Sequence, residues 1–252
     1  MQPNPGTPAT PHAMPAPHPD ELSAAAVALQ GSAVDRLRVA GKALLHLMKQ
    51  PEDTEQVFVL GIALNAPRFP EVMARFVAEE SGAQLLRDQP SIDSQHVDFA
   101  RLRTLPETTL GGAFARHMDR LHLDPDLFHA PPGLPSTVAY IAKRIRQTHD
   151  VWHVLTGYAT DVPGEIALQG FYYGHLHMPS AGAIALLGTL RYVGKFRDAD
   201  LIAMVRDGYR RGKAARYLPA VQWEALWEVE LDEVRRRFNI LPPALPGGGL
   251  RA

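Results

Sequence analysis

No cysteine occurs anywhere in the 252 residues. That excludes disulfides, thiolate zinc sites and cysteine nucleophiles, so any metal must be bound by nitrogen and oxygen. Charge of one sign is missing too: 26 Lys and Arg face 27 Asp and Glu, a formal net charge of −1. Without a basic field, a basic motif or an aromatic platform, the chain is not expected to bind nucleic acid. No window of about 18 continuous apolar residues is present, and no bilayer span is expected. The N-terminus lacks an apolar core segment, and its first Lys or Arg is Arg36. It therefore reads as neither a secretory signal nor a basic mitochondrial leader, and the expected location is the bacterial cytoplasm.

What remains is 46% hydrophobic content, enough to bury one substantial core. Residues 1–22, with seven prolines in the first twenty positions and almost no large apolar side chains, are expected to be a disordered tail. Residues 241–252 read as a flexible Pro/Gly tail. Between them, alternating strand patterns are scarce and nearly every segment has a helical period. Val34-Leu37-Leu44-Leu45-Met48, Val57-Leu60-Ile62-Leu64 and Leu110-Phe114-Met118-Leu121 are successive stripes. Pro131-Pro132-Gly133-Leu134-Pro135 breaks the pattern as a loop or hinge. Further helices are expected near 137–156, 165–177, 181–194, 199–212 and 219–238. The fold class is all-α: a single domain over 23–240, of about eight to ten helices with a metal site between them.

The chemistry concentrates in His149-Asp150-Val151-Trp152-His153, followed after eleven residues by Glu165 in a Pro163-Gly164-Glu165 turn. On a helix, His149 and His153 stand four apart on one face, so both imidazoles can reach one ion, and the loop 157–164 lets Glu165 return. An i, i+4 histidine pair alone is more often two ordinary partly buried side chains. The flanking carboxylates shift the reading to a metal site with His149, Asp150, His153 and Glu165 as candidate ligands. This donor set suits zinc or another divalent ion. Asp150 has three open roles: ligand, partner orienting an imidazole, or catalytic acid/base. His175 and His177, two apart, make a poor metal pair and are expected to be structural or lining residues. Arg206, Arg210, Arg211, Lys213 and Arg216 read as a solvated basic face, Arg235, Arg236 and Arg237 as solvent-exposed, and Trp227 as core.

The spacing His149-Asp150-x-x-His153 to Gly164-Glu165 resembles the signature of the coenzyme Q biosynthesis protein 4 family. Leu110-Gly111 to Asp126, Arg144 to Gly157, Tyr209-Arg210-Arg211-Gly212-Lys213 and Trp223 to Ile240 are similar to that family as well, so the resemblance covers roughly residues 105–240. Leu168-Gln169-Gly170-Phe171-Tyr172-Tyr173 departs from the Lys/Trp-rich version of eukaryotic members. The resemblance implies ubiquinone biosynthesis, by metal-dependent loss of the ring carboxyl from a polyprenylated 4-hydroxybenzoate-type intermediate, with or without an oxidative replacement by hydroxyl. Zinc is the expected cofactor. The expected partners are the polyprenylated quinone precursor, a membrane surface at the inner face of the plasma membrane, other quinone-biosynthesis enzymes and a second copy in a homodimer. The prenyl groove is expected on helices carrying Phe171, Tyr172, Leu176, Leu186, Leu187 and Leu190. The alternatives are a non-catalytic isoprenoid-binding scaffold and an HD-type metal phosphohydrolase.

Overall fold

The computed structural model describes residues 28–29, 31–47, 49–50, 53–127, 135–195 and 200–240. Both tails, His12, His18, Met48 and residues 131–134 of the proline-rich break lie outside them. Among the described residues, twelve α-helical segments follow one another from Ala33: α1 Ala33–Leu47, α2 Thr54–Asn65, α3 Phe69–Ala78, α4 Glu80–Asp88, α5 Phe99–Thr104, α6 Leu110–Leu121, α7 Ser136–Gln147, α8 His149–Thr156, α9 Val162–Leu176, α10 Pro179–Tyr192, α11 Leu201–Ala214 and α12 Leu231–Arg237. Short 3-10 turns occupy Ala66–Arg68 and Trp223–Leu226. α2 and α3 join through the first of these, and α7 and α8 break only at Thr148, so the separate rods number about ten. Among the described residues the only β-type pairing is the bridge between Thr109 and Glu230.

Local sequence explains the boundaries. Ser32 and Asp35 cap each other's backbone N–H at the start of α1. Thr109, Asp161 and Asp200 each accept a hydrogen bond from the third residue onward at the starts of α6, α9 and α11. Gly157, at φ 74°, ends α8 by donating its N–H to the His153 carbonyl. Two expectations are corrected here. Residues 137–156 form two segments rather than one helix, and 219–238 divide into the 3-10 turn and α12, because the chain between them bonds to the start of α6, the Trp227 and Val229 carbonyls accepting from Gly111 and Leu110.

The main core gathers Phe76, Leu85, Leu110, Phe114, Val151, Trp152, Leu155, Leu168, Phe171, Leu218 and Trp223, with Trp227 also buried. A second cluster joins α1 and α2 through Ala40, Ala43, Val59, Leu60, Ile62 and Ala63, with Ile184 of α10 against it. α9 and α11 cross at closest quarters. A Cβ added at Gly170 or Gly174 would come within 2.7 or 2.2 Å of the carbonyl oxygens of Val205 and Tyr209. One added at Gly208 or Gly212 would meet those of Ala167 and Phe171 at 2.3 and 2.1 Å. Two Gly-x-x-x-Gly faces thus let the backbones touch.

The run Gln56–Ala78, with mean hydropathy 1.2, is long and apolar enough to cross a membrane by length and composition, and a third of it is buried. Its charges are engaged on the protein. Arg68 pairs with Glu71 at 2.8 Å, and Arg75 lies 4.2 Å above the Tyr217 ring.

Candidate metal centre

The α8 segment is anchored at its carbonyl end by two arginines. Arg235 donates to the carbonyls of Leu155 at 2.9 Å and Val154 at 3.0 Å, and Arg211 donates to that of Thr156 at 2.6 Å. These bonds satisfy the carbonyls that a helix end leaves unpaired. They also correct the sequence reading, because Arg211 is buried and the Arg235 side chain is only 19% exposed. Arg144, fully buried in α7, holds both carboxylate oxygens of Glu224 at 2.5 and 2.8 Å and the Val221 carbonyl at 3.0 Å.

On this seat His149 and His153 stand one helical turn apart, their Nε2 atoms 3.2 Å from each other. Glu165 lies in the first turn of α9, not in a free turn: Pro163 at the helix start and the Asp161 cap continue the helix through it. Its carboxylate comes 3.0 Å from His153 Nε2 and 3.5 Å from His149 Nε2. Three Lewis bases therefore converge, with all ligand atoms within 4.8 Å of one another. Their separations match the edge, about 3.3 Å, of a tetrahedron of donors placed about 2.0–2.1 Å from a zinc ion. The rings are oriented from behind. His153 Nδ1–H donates to the Tyr158 carbonyl at 2.9 Å, leaving Nε2 as the donor toward an ion, and His149 Nδ1 lies 3.3 Å from the Tyr172 hydroxyl.

Electrostatics favour the cluster. Burial pushes the Glu165 carboxyl up, but the hydrogen bonds and charges of His149 and His153 outweigh it and hold it well below the usual carboxylate range. Burial likewise opposes charge on His149, yet Glu165 and Asp150 raise its pKa. Asp150 does not join the three-ligand cluster: its carboxylate lies 3.2 Å from Nε2 of His117, and His117, with the neighbouring imidazoles, lowers its pKa against the effect of burial.

His117, fully buried on α6, was not singled out by sequence. Its ring stacks 5.9 Å from that of His153. The available signal was its position, since it continues the apolar stripe Leu110-Phe114-Met118 where a hydrophobe is expected.

The cluster opens onto a cavity of about 970 Å³, at the upper end of the range for ligand sites. His149, Glu165 and Tyr172 form its polar end. Its walls come from α1 and α2 (Leu44, Leu47, Phe58), α7 (Val138, Ile141, Ile145) and α10 (Ile184, Leu187, Leu190). Of the side chains expected to line a prenyl groove, Tyr172, Leu187 and Leu190 do so. Phe171 and Leu176 are packed in the core, and Leu186 is 61% exposed.

These features define a helical protein whose His/His/Glu cluster, compatible with a divalent ion, heads an apolar cavity. A family model for coenzyme Q (ubiquinone) biosynthesis protein Coq4 matches residues 27–244, and the chain belongs to that family. The match takes in the N-terminal helices, beyond the roughly 105–240 legible as a resemblance. The chain is 30% identical to the mitochondrial ubiquinone biosynthesis protein COQ4 of Coprinopsis cinerea, over 81% of this chain and 70% of that one. It is 31% identical to the Schizosaccharomyces japonicus coq4 protein, over 80% and 85% respectively. A crystal structure from Nostoc punctiforme shares the fold, with TM-score 0.62 and 24% identity over 81% of this chain and 97% of that chain.

Proposed function

We propose that the protein acts in ubiquinone biosynthesis as a metal-dependent decarboxylase of a polyprenylated 4-hydroxybenzoate-type ring, working at a membrane surface. The observation that carries this reading is the placement of His149 and Glu165 at the polar end of an otherwise apolar cavity. His149, His153 and Glu165 hold the ion, for which the donor set and separations favour zinc. When bound, that ion supplies an electrophilic site for the ring carboxylate or phenolate.

The chain's own residues do the rest. The apolar walls bind the prenyl tail and exclude water from the polar end, strengthening the electrostatics there. Asp150, an ionised carboxylate hydrogen-bonded to His117, relays a proton delivered from solvent. Loss of carbon dioxide leaves an electron pair on the ring carbon, which takes up that proton. In the oxidative branch the electron pair passes instead to molecular oxygen, which is reduced by two electrons to hydrogen peroxide while water supplies the hydroxyl that replaces the carboxyl. An HD-type phosphohydrolase would need Asp150 on the ion, whereas its carboxylate faces His117.

The test is to purify the full chain with its metal, incubate it with a short-chain prenylated hydroxybenzoate with and without oxygen, and follow carbon dioxide and the ring product by mass spectrometry. Metal-dependent loss of the carboxyl group, abolished in His149→Ala, is expected. Intact substrate despite measurable binding would overturn the enzyme reading in favour of an isoprenoid-binding scaffold for other quinone-biosynthesis enzymes.

A further inference from the structure

Gln169 is a polar side chain in an apolar wall. It lies on α9 one turn beyond Glu165 and three residues before Tyr172, and all three line the cavity. Most of the other polar groups along that lining are already engaged. Asn65 and Ser180 bind each other, through Nδ2 to Oγ at 2.8 Å and Ser180 N–H to Oδ1 at 3.0 Å. Arg146 lies over the Phe58 ring, Arg191 over that of Tyr192, and the Tyr172 hydroxyl approaches His149. Among the described residues, Gln169 and Thr160 are the lining polar side chains with no hydrogen bond or ring contact. A carboxamide in such a wall, able both to donate and to accept, is costly to leave unmatched when a ligand displaces water.

We propose that Gln169 selects the head group of the substrate by hydrogen-bonding the ring oxygen para to the carboxylate. The inference rests on the decarboxylase reading for the orientation of the ring. Four residues of helix rise about 6 Å. That matches the span of a 4-hydroxybenzoate ring from its carboxyl carbon to its para oxygen. A ring with its carboxylate at the His149/His153/Glu165 end thus places the para oxygen beside Gln169. The prenyl tail, ortho to that oxygen, is left against the apolar walls of α1, α2 and α10. The amide oxygen accepts from a phenol, and the amide N–H₂ donates to a phenolate or an ether oxygen. Gln169 therefore acts on binding and registration, while the proton chemistry stays with Asp150.

The test compares binding of two probes to the metal-loaded full chain by calorimetry: a farnesylated 4-hydroxybenzoate and the same farnesylated benzoate lacking the para oxygen. Gln169→Leu, close in size and apolar, is expected to weaken the hydroxylated probe about tenfold and leave the deoxy probe unchanged or tighter. Gln169→Glu, which keeps an acceptor, is expected to retain more of the preference than Gln169→Leu. An unchanged affinity ratio between the probes in Gln169→Leu, with both still bound, would overturn the role of Gln169 and leave the decarboxylase reading standing. Wild-type protein that binds neither probe would overturn both. Thermal unfolding of each variant separates loss of fold from loss of recognition, and the deoxy probe reports an intact cavity even where the variant is less stable.

Discussion

His175 uses both ring nitrogens in the core. Nδ1–H donates to the Gly212 carbonyl at 3.1 Å, and Nε2 accepts from the Leu218 N–H at 3.1 Å. Burial pushes its pKa down to about 4, with the Gly212 hydrogen bond offsetting part of the effect. Below about pH 6.5 the unfolded chain therefore takes up a proton that the folded chain refuses. The stability contributed by the neutral ring is complete above that pH and is lost as pH falls toward 4, by on the order of 3 kcal/mol. Urea unfolding between pH 7.5 and 4.5 should show this slope, and His175→Gln should flatten it; an equal slope in the variant would refute the assignment. The residue scale also shows what a sequence reveals. His149 and His153 were legible because helical spacing brings them together, and Glu165 because a short loop returns the next helix to them. His117, the buried Arg144 and Arg211 and the half-buried Arg235 were not, because their partners lie 33 to 81 residues away along the chain.

Among the elements, the crossing of α9 and α11 is the most demanding. Since a Cβ at Gly174 would lie 2.2 Å from a backbone oxygen, Gly174→Ala must push the helices apart. The expected cost is about 1–3 kcal/mol, a drop of about 3–10 °C in melting temperature. Gly41 in α1 has nothing within 4 Å of an added Cβ, so Gly41→Ala should be neutral or stabilising by up to about 1 kcal/mol. Calorimetric scans of both variants check the contrast, and equal melting points would contradict it. The helices themselves were readable from apolar period and caps. Their interruptions were less so: the helical turn before α12 ends where the Val229 and Trp227 carbonyls accept tertiary hydrogen bonds from Leu110 and Gly111.

Across the whole molecule, the cavity lies between two cores, and α10 forms part of its wall while showing Leu186 and Leu190 to solvent at 61 and 66% exposure. Val193 follows at 47%, with Arg191 and Lys195 alongside. An apolar ridge with basic flanks suits an anionic lipid surface. Flotation with vesicles containing phosphatidylserine should carry the protein upward, and the double variant Leu186→Glu with Val193→Glu should remain at the bottom with an unchanged melting point. Flotation of both to the same extent would remove α10 from the membrane contact. The part played by α1 and α2 in the cavity was illegible in sequence, since an apolar stripe says that a helix packs but not that it stops short of its neighbour.

The glycine crossing gives α9 two independent edges. Gly170 and Gly174 seat it on the main chain of α11, while Glu165, Gln169 and Tyr172 look the other way into the cavity. Because main chain carries no side-chain identity, the anchorage of this helix is indifferent to what lines the pocket. Side chains such as Gln169 can then be exchanged without disturbing the main-chain contact that sets the position of Glu165.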